Sequence, residues 1–250
     1  MQRTFVISLL ICLLAASSCR KQHGQPDPPG NGGRKPDSSA RIRSINNNMY
    51  AYDGQGRVAR ITYSNSIAAR TDYSYSPDSV FARDFDMQGH PHGGRVTYYL
   101  RNDGLADRIF YIIDSSVSPL IITLAYNTDR QLTEEIVADE GGTAFLRVVW
   151  YYSKGNADSV LTYALPGNVL SGVERVEYYA DQPNWLGNEH NGISFLGAGN
   201  ANLEKKRVST NTGSPSVTEY TYQFDDAQRP VVKHTTVDGS AMPDLAFTWY

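Results

Sequence analysis

The chain has 250 residues, 40% of them hydrophobic and 20% charged, with a formal net charge of −3. Charge is unevenly spread: residues 44–250 hold 16 basic and 24 acidic side chains, a net of −8. An acidic domain of that kind excludes nucleic acid as a partner, because a phosphate backbone demands cationic contacts. Both cysteines, Cys12 and Cys19, fall in the first 19 residues, so disulfides, thiolate metal sites and cysteine nucleophiles are excluded from the rest.

Arg3 followed by the apolar run Phe5 to Ala16 reads as an export signal, since twelve apolar residues are too few for a spanning helix. Ala16-Ser17-Ser18-Cys19 closes that run and resembles a bacterial lipobox, which predicts a signal peptide over 1–18 and lipidation of Cys19. Two or more acyl chains are what stable anchoring to a membrane takes. The stretch 19–43 is rich in Pro, Gly and Ser with almost no apolar side chain, a composition that reads as a flexible tether. A coil of that length spans about 25–30 Å. Residues 44–250 then form a single domain with enough chain to bury a core.

Within that domain Tyr52, Tyr75, Tyr99, Tyr126, Tyr152, Tyr179, Tyr222 and Tyr250 recur at intervals of 23, 24, 27, 26, 27, 43 and 28 residues. Such a period marks a repeated structural unit. Each tyrosine ends an alternating stretch and precedes a cluster of Asp, Asn and Gly, as in Tyr50-Ala-Tyr52 before Asp53-Gly-Gln-Gly56. Period-2 runs around such clusters are hairpin signals. Leu120, Ile122, Leu124 and Tyr126 share one strand face, and Thr218, Tyr220, Tyr222 and Phe224 another. No long window carries the 3.6-residue period of an amphipathic helix. The expectation is all-β: an antiparallel meander of roughly 14–16 strands, forming an open, curved or rolled sheet with very little helix. The closing Phe247-Thr-Trp-Tyr250 is expected to pair within the sheet, because a long aromatic edge would invite aggregation.

The 43-residue interval holds an insertion near 181–203, rich in Gly and Asn. Insertions into a regular array often form its binding face. Trp185, Asn188, His190, Asn191 and Phe195 are therefore candidate ligand-binding residues, the alternative being a loop that packs Trp185 and Phe195 over the sheet. Asp84-Phe-Asp86-Met-Gln-Gly89-His90-Pro-His92 has acids at positions 1 and 3 of a calcium loop, but Arg95 stands where a bidentate Glu is required. The turn aspartates sit at varying offsets from the tyrosines and define no cation row. Nucleophile elbows, zincin motifs and phosphate loops are missing, which points to no metal, no cofactor and no catalytic residue.

Tyr50-x-Tyr52-Asp53-x-x-Gly56-Arg57 resembles the core of the YD repeat of Rhs-like proteins, with Tyr220-x-Tyr222-x-Phe-Asp225-x-x-x-Arg229 a looser copy. Pro183-Asn-Trp-Leu-Gly187, Phe195-Leu-Gly197 and Asn202-Leu-Glu-Lys-Lys206 resemble a family of Bacteroidota lipoproteins with a domain of unknown function. That resemblance implies a cell-envelope protein, lipid-anchored to the outer membrane on its periplasmic or exposed side. The expected function is a non-enzymatic scaffold or protein-interaction module. The alternative is a glycan-binding accessory lipoprotein that uses aromatic residues of the insertion, so the expected partners are the membrane and either another envelope protein or a glycan.

Overall fold

The structure is a computed structural model that describes residues 40–64, 68–112, 118–211 and 214–250. The expected signal peptide and Cys19 lie outside the described residues. Each tyrosine unit is a hairpin. In chain order the strands are Ile42–Ile45 (β1), Asn48–Tyr52 (β2), Val58–Thr62 (β3), Arg70–Tyr75 (β4), Ser79–Phe85 (β5), Pro91–Leu100 (β6), Ala106–Ile112 (β7) and Leu120–Tyr126 (β8). They continue as Leu132–Asp139 (β9), Ala144–Ser153 (β10), Asn156–Ala164 (β11), Val169–Pro183 (β12), Asn202–Asn211 (β13), Ser216–Phe224 (β14), Pro230–Val237 (β15), Ser240–Ala241 (β16) and Leu245–Trp249 (β17). One 3-10 turn, Ser194–Leu196, is the only helix among the described residues.

Every strand from β1 to β15 pairs antiparallel with its successor. The last strand then closes the ring. β17 pairs with β15 through Val232↔Ala246 and Lys233↔Leu245, and with β1 through Ile45↔Phe247 and Ser44↔Thr248. Leaving aside the two-residue β16, the seventeen-stranded sheet closes as a sixteen-stranded antiparallel barrel. The expected open, curved or rolled sheet is thus corrected to a closed one. The reason is that β1 and β17 are each other's missing partner, and closure alone removes both edges of a sheet.

Six of the hairpins share one turn. In the turns starting at Asp53, Asp86, Arg101, Asn127, Asp139 and Asp225, the N–H of the first residue donates to the carbonyl four residues on. The N–H of the fourth residue donates back to the first carbonyl. The fourth residue has positive φ in each case: Gly56, Gly89, Gly104, Arg130, Gly142 and Gln228. This is a type I turn followed by a left-handed residue, the three-residue hairpin connection that matches strand twist. At Asp53 and Asp225 the carboxylate adds to it, accepting the N–H groups of residues two and four further on and the guanidinium of Arg57 or Arg229.

Alternation sorts the wall into two faces. Val80, Ala82, Ile109, Ile122, Leu124, Val137, Leu146, Val148 and Val160 point inward and form an apolar cluster along β5 to β11. The residues between them, among them Arg60, Arg83, Arg95, Arg108, Glu134 and Arg147, point outward.

Candidate functional site

All even-numbered strands up to β14, together with β17, finish at the same end of the barrel, and there the tyrosines recur. Tyr75 donates its hydroxyl to the carbonyl of Val58, the first residue of the preceding strand, at 2.7 Å. Tyr152 does the same to Leu132 at 2.9 Å, while Tyr178 and Tyr222 reach the carbonyls of Ala157 at 2.8 Å and Glu204 at 3.0 Å, the second and third residues of the preceding strands. Tyr52 reaches Ile42 at 2.6 Å, and on β17 the Trp249 indole N–H takes the same role toward Pro230 at 2.9 Å. A ring packed inside the wall with its polar tip on a backbone carbonyl ties each of these strands to its neighbour. Burial pushes the Tyr50 phenol up to about 12, and it raises Tyr52, Tyr75, Tyr152, Tyr178 and Tyr222 as well, so these rings act as neutral donors.

The insertion crosses this same mouth. Ile42 N–H donates to the His190 carbonyl at 3.0 Å and Val58 N–H to the Gly192 carbonyl at 3.0 Å, which fixes the loop to β1 and β3. On the other side Ala198 N–H donates to Arg130 at 2.7 Å and Ala201 N–H to Gly155 at 2.9 Å. Gln131 bridges the carbonyls of Gly155 and Gly199, and the Asn200 side chain accepts from Ala157 N–H. Phe195 descends into the apolar cluster, its ring centroid 4.9 Å from Tyr98 and 6.3 Å from Tyr75. Trp185 packs between His190 at 5.4 Å and Trp249 at 6.1 Å.

The structure therefore gathers the five candidate ligand-binding residues but encloses them. Trp185 is 4% exposed, Asn188 1%, His190 1%, Asn191 8% and Phe195 7%. Asn188 donates to the Gly197 carbonyl, Asn191 to Leu186 and Gly187, and His190 Nδ1 lies 2.9 Å from the Ala40 carbonyl. The segment is a plug. No aromatic face of it is open to a ligand in this arrangement. Asp84, Asp86, His90 and His92 do not converge either: Asp84 faces inward and accepts from Thr71, whereas Asp86 caps its own turn and His90 and His92 are exposed. Among the described residues no group of three or more His, Cys, Asp or Glu could hold a metal ion.

Two interior features escape a reading by motif. Next to the apolar arc, Arg207 on β13 pairs with Glu204 at 2.7 Å and with Glu174 on β12. Nearby Lys233 stands 3.9 Å above the Tyr220 ring, and burial pushes its ammonium pKa down. One guanidinium thus ties two carboxylates from neighbouring strands into an ion-pair network. The second feature is Glu135 on β9, 1% exposed, which burial pushes up to about 8. Its Oε1, the Tyr126 hydroxyl and the Asn188 Oδ1 lack hydrogen-bond partners among the described residues. The adjacent Glu134-Glu135 in an alternating strand was the available signal, since one of the two has to face inward.

The arrangement defines a class: a closed, plugged antiparallel barrel. No protein-family model and no curated protein matches the sequence. Solved structures do share the fold. A porin-like protein from Bacteroides uniformis superposes with a TM-score of 0.59 at 16% identity, covering 81% of this chain and 90% of that one. A porin-like protein from Bacteroides vulgatus gives a TM-score of 0.56 at 11% identity, covering 83% and 98% respectively.

Proposed function

We propose that the protein is an envelope lipoprotein whose barrel stands in water beside the membrane and serves as a non-enzymatic scaffold or protein-interaction module, tethered through Cys19. The observation that carries this reading is the outer face. A spanning barrel shows lipid an apolar band about 25 Å tall, and an Arg or Lys at its midplane costs about 2–4 kcal/mol. Here the outward positions hold Arg60 opposite Asp72, the Arg147–Glu134 ion pair, and the row Glu177↔Lys206↔Glu219. Strands β1, β2 and β3 are 4, 5 and 5 residues long, whereas a bilayer needs about 9–11. Among the described residues no helix is long and apolar enough to cross a membrane. An interior packed with apolar side chains along β5 to β11 and closed by a plug supports a role played by the exterior rather than by a lumen. A glycan-accessory role would need the plug to uncover Trp185 and Phe195.

Membrane fractionation tests the reading. The wild-type chain should require detergent for release, and Cys19→Ala should appear in the soluble fraction. A Cys19→Ala protein that still needs detergent would mean that the barrel itself is embedded.

A further inference from the structure

We propose that the outer wall formed by β3 to β6 is a docking surface for the anionic headgroups of a phospholipid membrane, centred on Arg83 and Arg95. Cross-strand register places Arg60, Asp72, Arg83 and Arg95 directly opposite one another on four successive strands. Arg70, on the same face, shares Asp72 with Arg60. Arg108 follows on β7. The outer strand faces from β3 to β7 thus set five arginines against a single carboxylate, in a domain whose net charge is −8.

The centre of the row is the informative part. Like charges placed directly opposite in a sheet are destabilising, and Asp72, across from Arg83, is already held by Arg60 and Arg70. Neither makes an ion pair, hydrogen bond or ring contact among the described residues, whereas Arg57, Arg60, Arg70, Arg101, Arg147, Arg207 and Arg229 all hold carboxylates. Asp84 is next in sequence to Arg83 but faces inward, accepting from Thr71. An external anion is what the pair lacks.

The rest of the wall favours a surface over a small anion. Phe81, Phe85, Tyr99 and Phe110 point outward between the arginines, with Arg70 4.5 Å from the Phe85 centroid and Arg108 4.4 Å from that of Tyr99. Aromatic rings beside snorkelling cations are the composition suited to headgroup depth, and basic clusters draw proteins to anionic leaflets. A single phosphate could bridge one arginine pair, but an extended anionic plane can engage the whole row. A tether of the length expected from the sequence, about 25–30 Å as a coil, would let the wall lie on a membrane that anchors it. The inference rests on the reading above that the wall is in water.

The test uses the full chain with Cys19→Ser, so that no acyl anchor contributes, and sedimentation with vesicles of phosphatidylcholine alone or mixed with phosphatidylglycerol. Binding is expected to the mixed vesicles only and to weaken as salt rises. Arg83→Glu/Arg95→Glu should reduce it at least about tenfold, given what each basic residue contributes near such a surface. Arg175→Glu, at an exposed arginine on the outer face of β12, should change it little. Arg83→Gln/Arg95→Gln should also lose binding while unfolding at the same temperature or higher, which separates docking from folding. Equal binding to neutral vesicles, no binding at all, or the same loss from Arg175→Glu would overturn the proposal. Competition by inorganic phosphate at matched phosphate concentration would overturn it too, in favour of a small-anion site. A soluble protein that ignores vesicles sinks only the docking surface, whereas one that needs detergent sinks the water-side reading with it.

Discussion

At the residue scale the tyrosines fall into three cases that one sequence pattern hides. Tyr152 donates to Leu132, whereas Tyr126, at the matching position of its own hairpin, has a buried hydroxyl without a partner. Tyr152→Phe should therefore cost about 1 kcal/mol in urea unfolding, while Tyr126→Phe should cost nothing or stabilise, because a buried unpaired polar group is itself a penalty. Tyr99 is a third case: it lies on the outer wall under Arg108, and Leu100 occupies the inward position. Spacing alone could not separate these: the turn after β6 starts at Arg101, so Leu100 takes the place that Tyr52 and Tyr126 hold directly before the turns at Asp53 and Asn127. Glu135 makes a pH prediction. Burial pushes its folded pKa up to about 8 from the ordinary 4.5, so between those values the folded state keeps a proton that the unfolded chain has released. Stability should then fall as pH rises through that window, by at most about 1.4 kcal/mol per pH unit, and level off above it. Glu135→Gln should flatten that slope in denaturation curves taken from pH 5 to pH 9; an unchanged slope would place the titrating group elsewhere.

At the element scale the plug depends on close approach. Gly192 has φ +70°, and a Cβ there would lie 2.6 Å from the Val58 nitrogen and 2.8 Å from the Tyr52 ring. Gly197 has φ +90°, with the Arg130 carbonyl at 2.5 Å and the Tyr126 ring at 2.6 Å. Gly192→Ala should cost about 1–3 kcal/mol through backbone strain and lost contact. Hydrogen exchange should show the damage concentrated at Ile42, Val58 and the loop, with the far end of the barrel unaffected. The insertion's existence and rough limits were legible from the interval that breaks the rhythm. Its direction was not. A Gly- and Asn-rich stretch reads as a solvent-facing loop, but here the amides satisfy the loop's own carbonyls, as Asn188 and Asn191 do. That leaves Trp185 and Phe195 free to pack downward.

At the scale of the whole molecule, closure is the decisive event. Phe247 is 6% exposed because β17 lies between β15 and β1. Removing residues 245–250 should leave two bare strand edges and expose the interior, giving a protein that aggregates on concentration. Light scattering would show this, and a monodisperse truncated protein would argue that the ring is held by the plug instead. Closure also places the sixteen strands in a geometry shared with porin-like proteins at 16% and 11% identity. The fold tolerates such divergence because it asks only for alternation, turns and a final pairing.

The sequence by itself determined the all-β class, the hairpin unit, the turn positions and the site of the insertion, because those follow from local periodicity and from turn residues such as Asp53 and Gly56. Only the tertiary structure decided that the sheet closes, that the insertion turns inward, and that Arg83 meets Arg95. Each of these depends on which strand lies beside which and in what register. Side-chain spacing along one strand carries no record of the strand next to it.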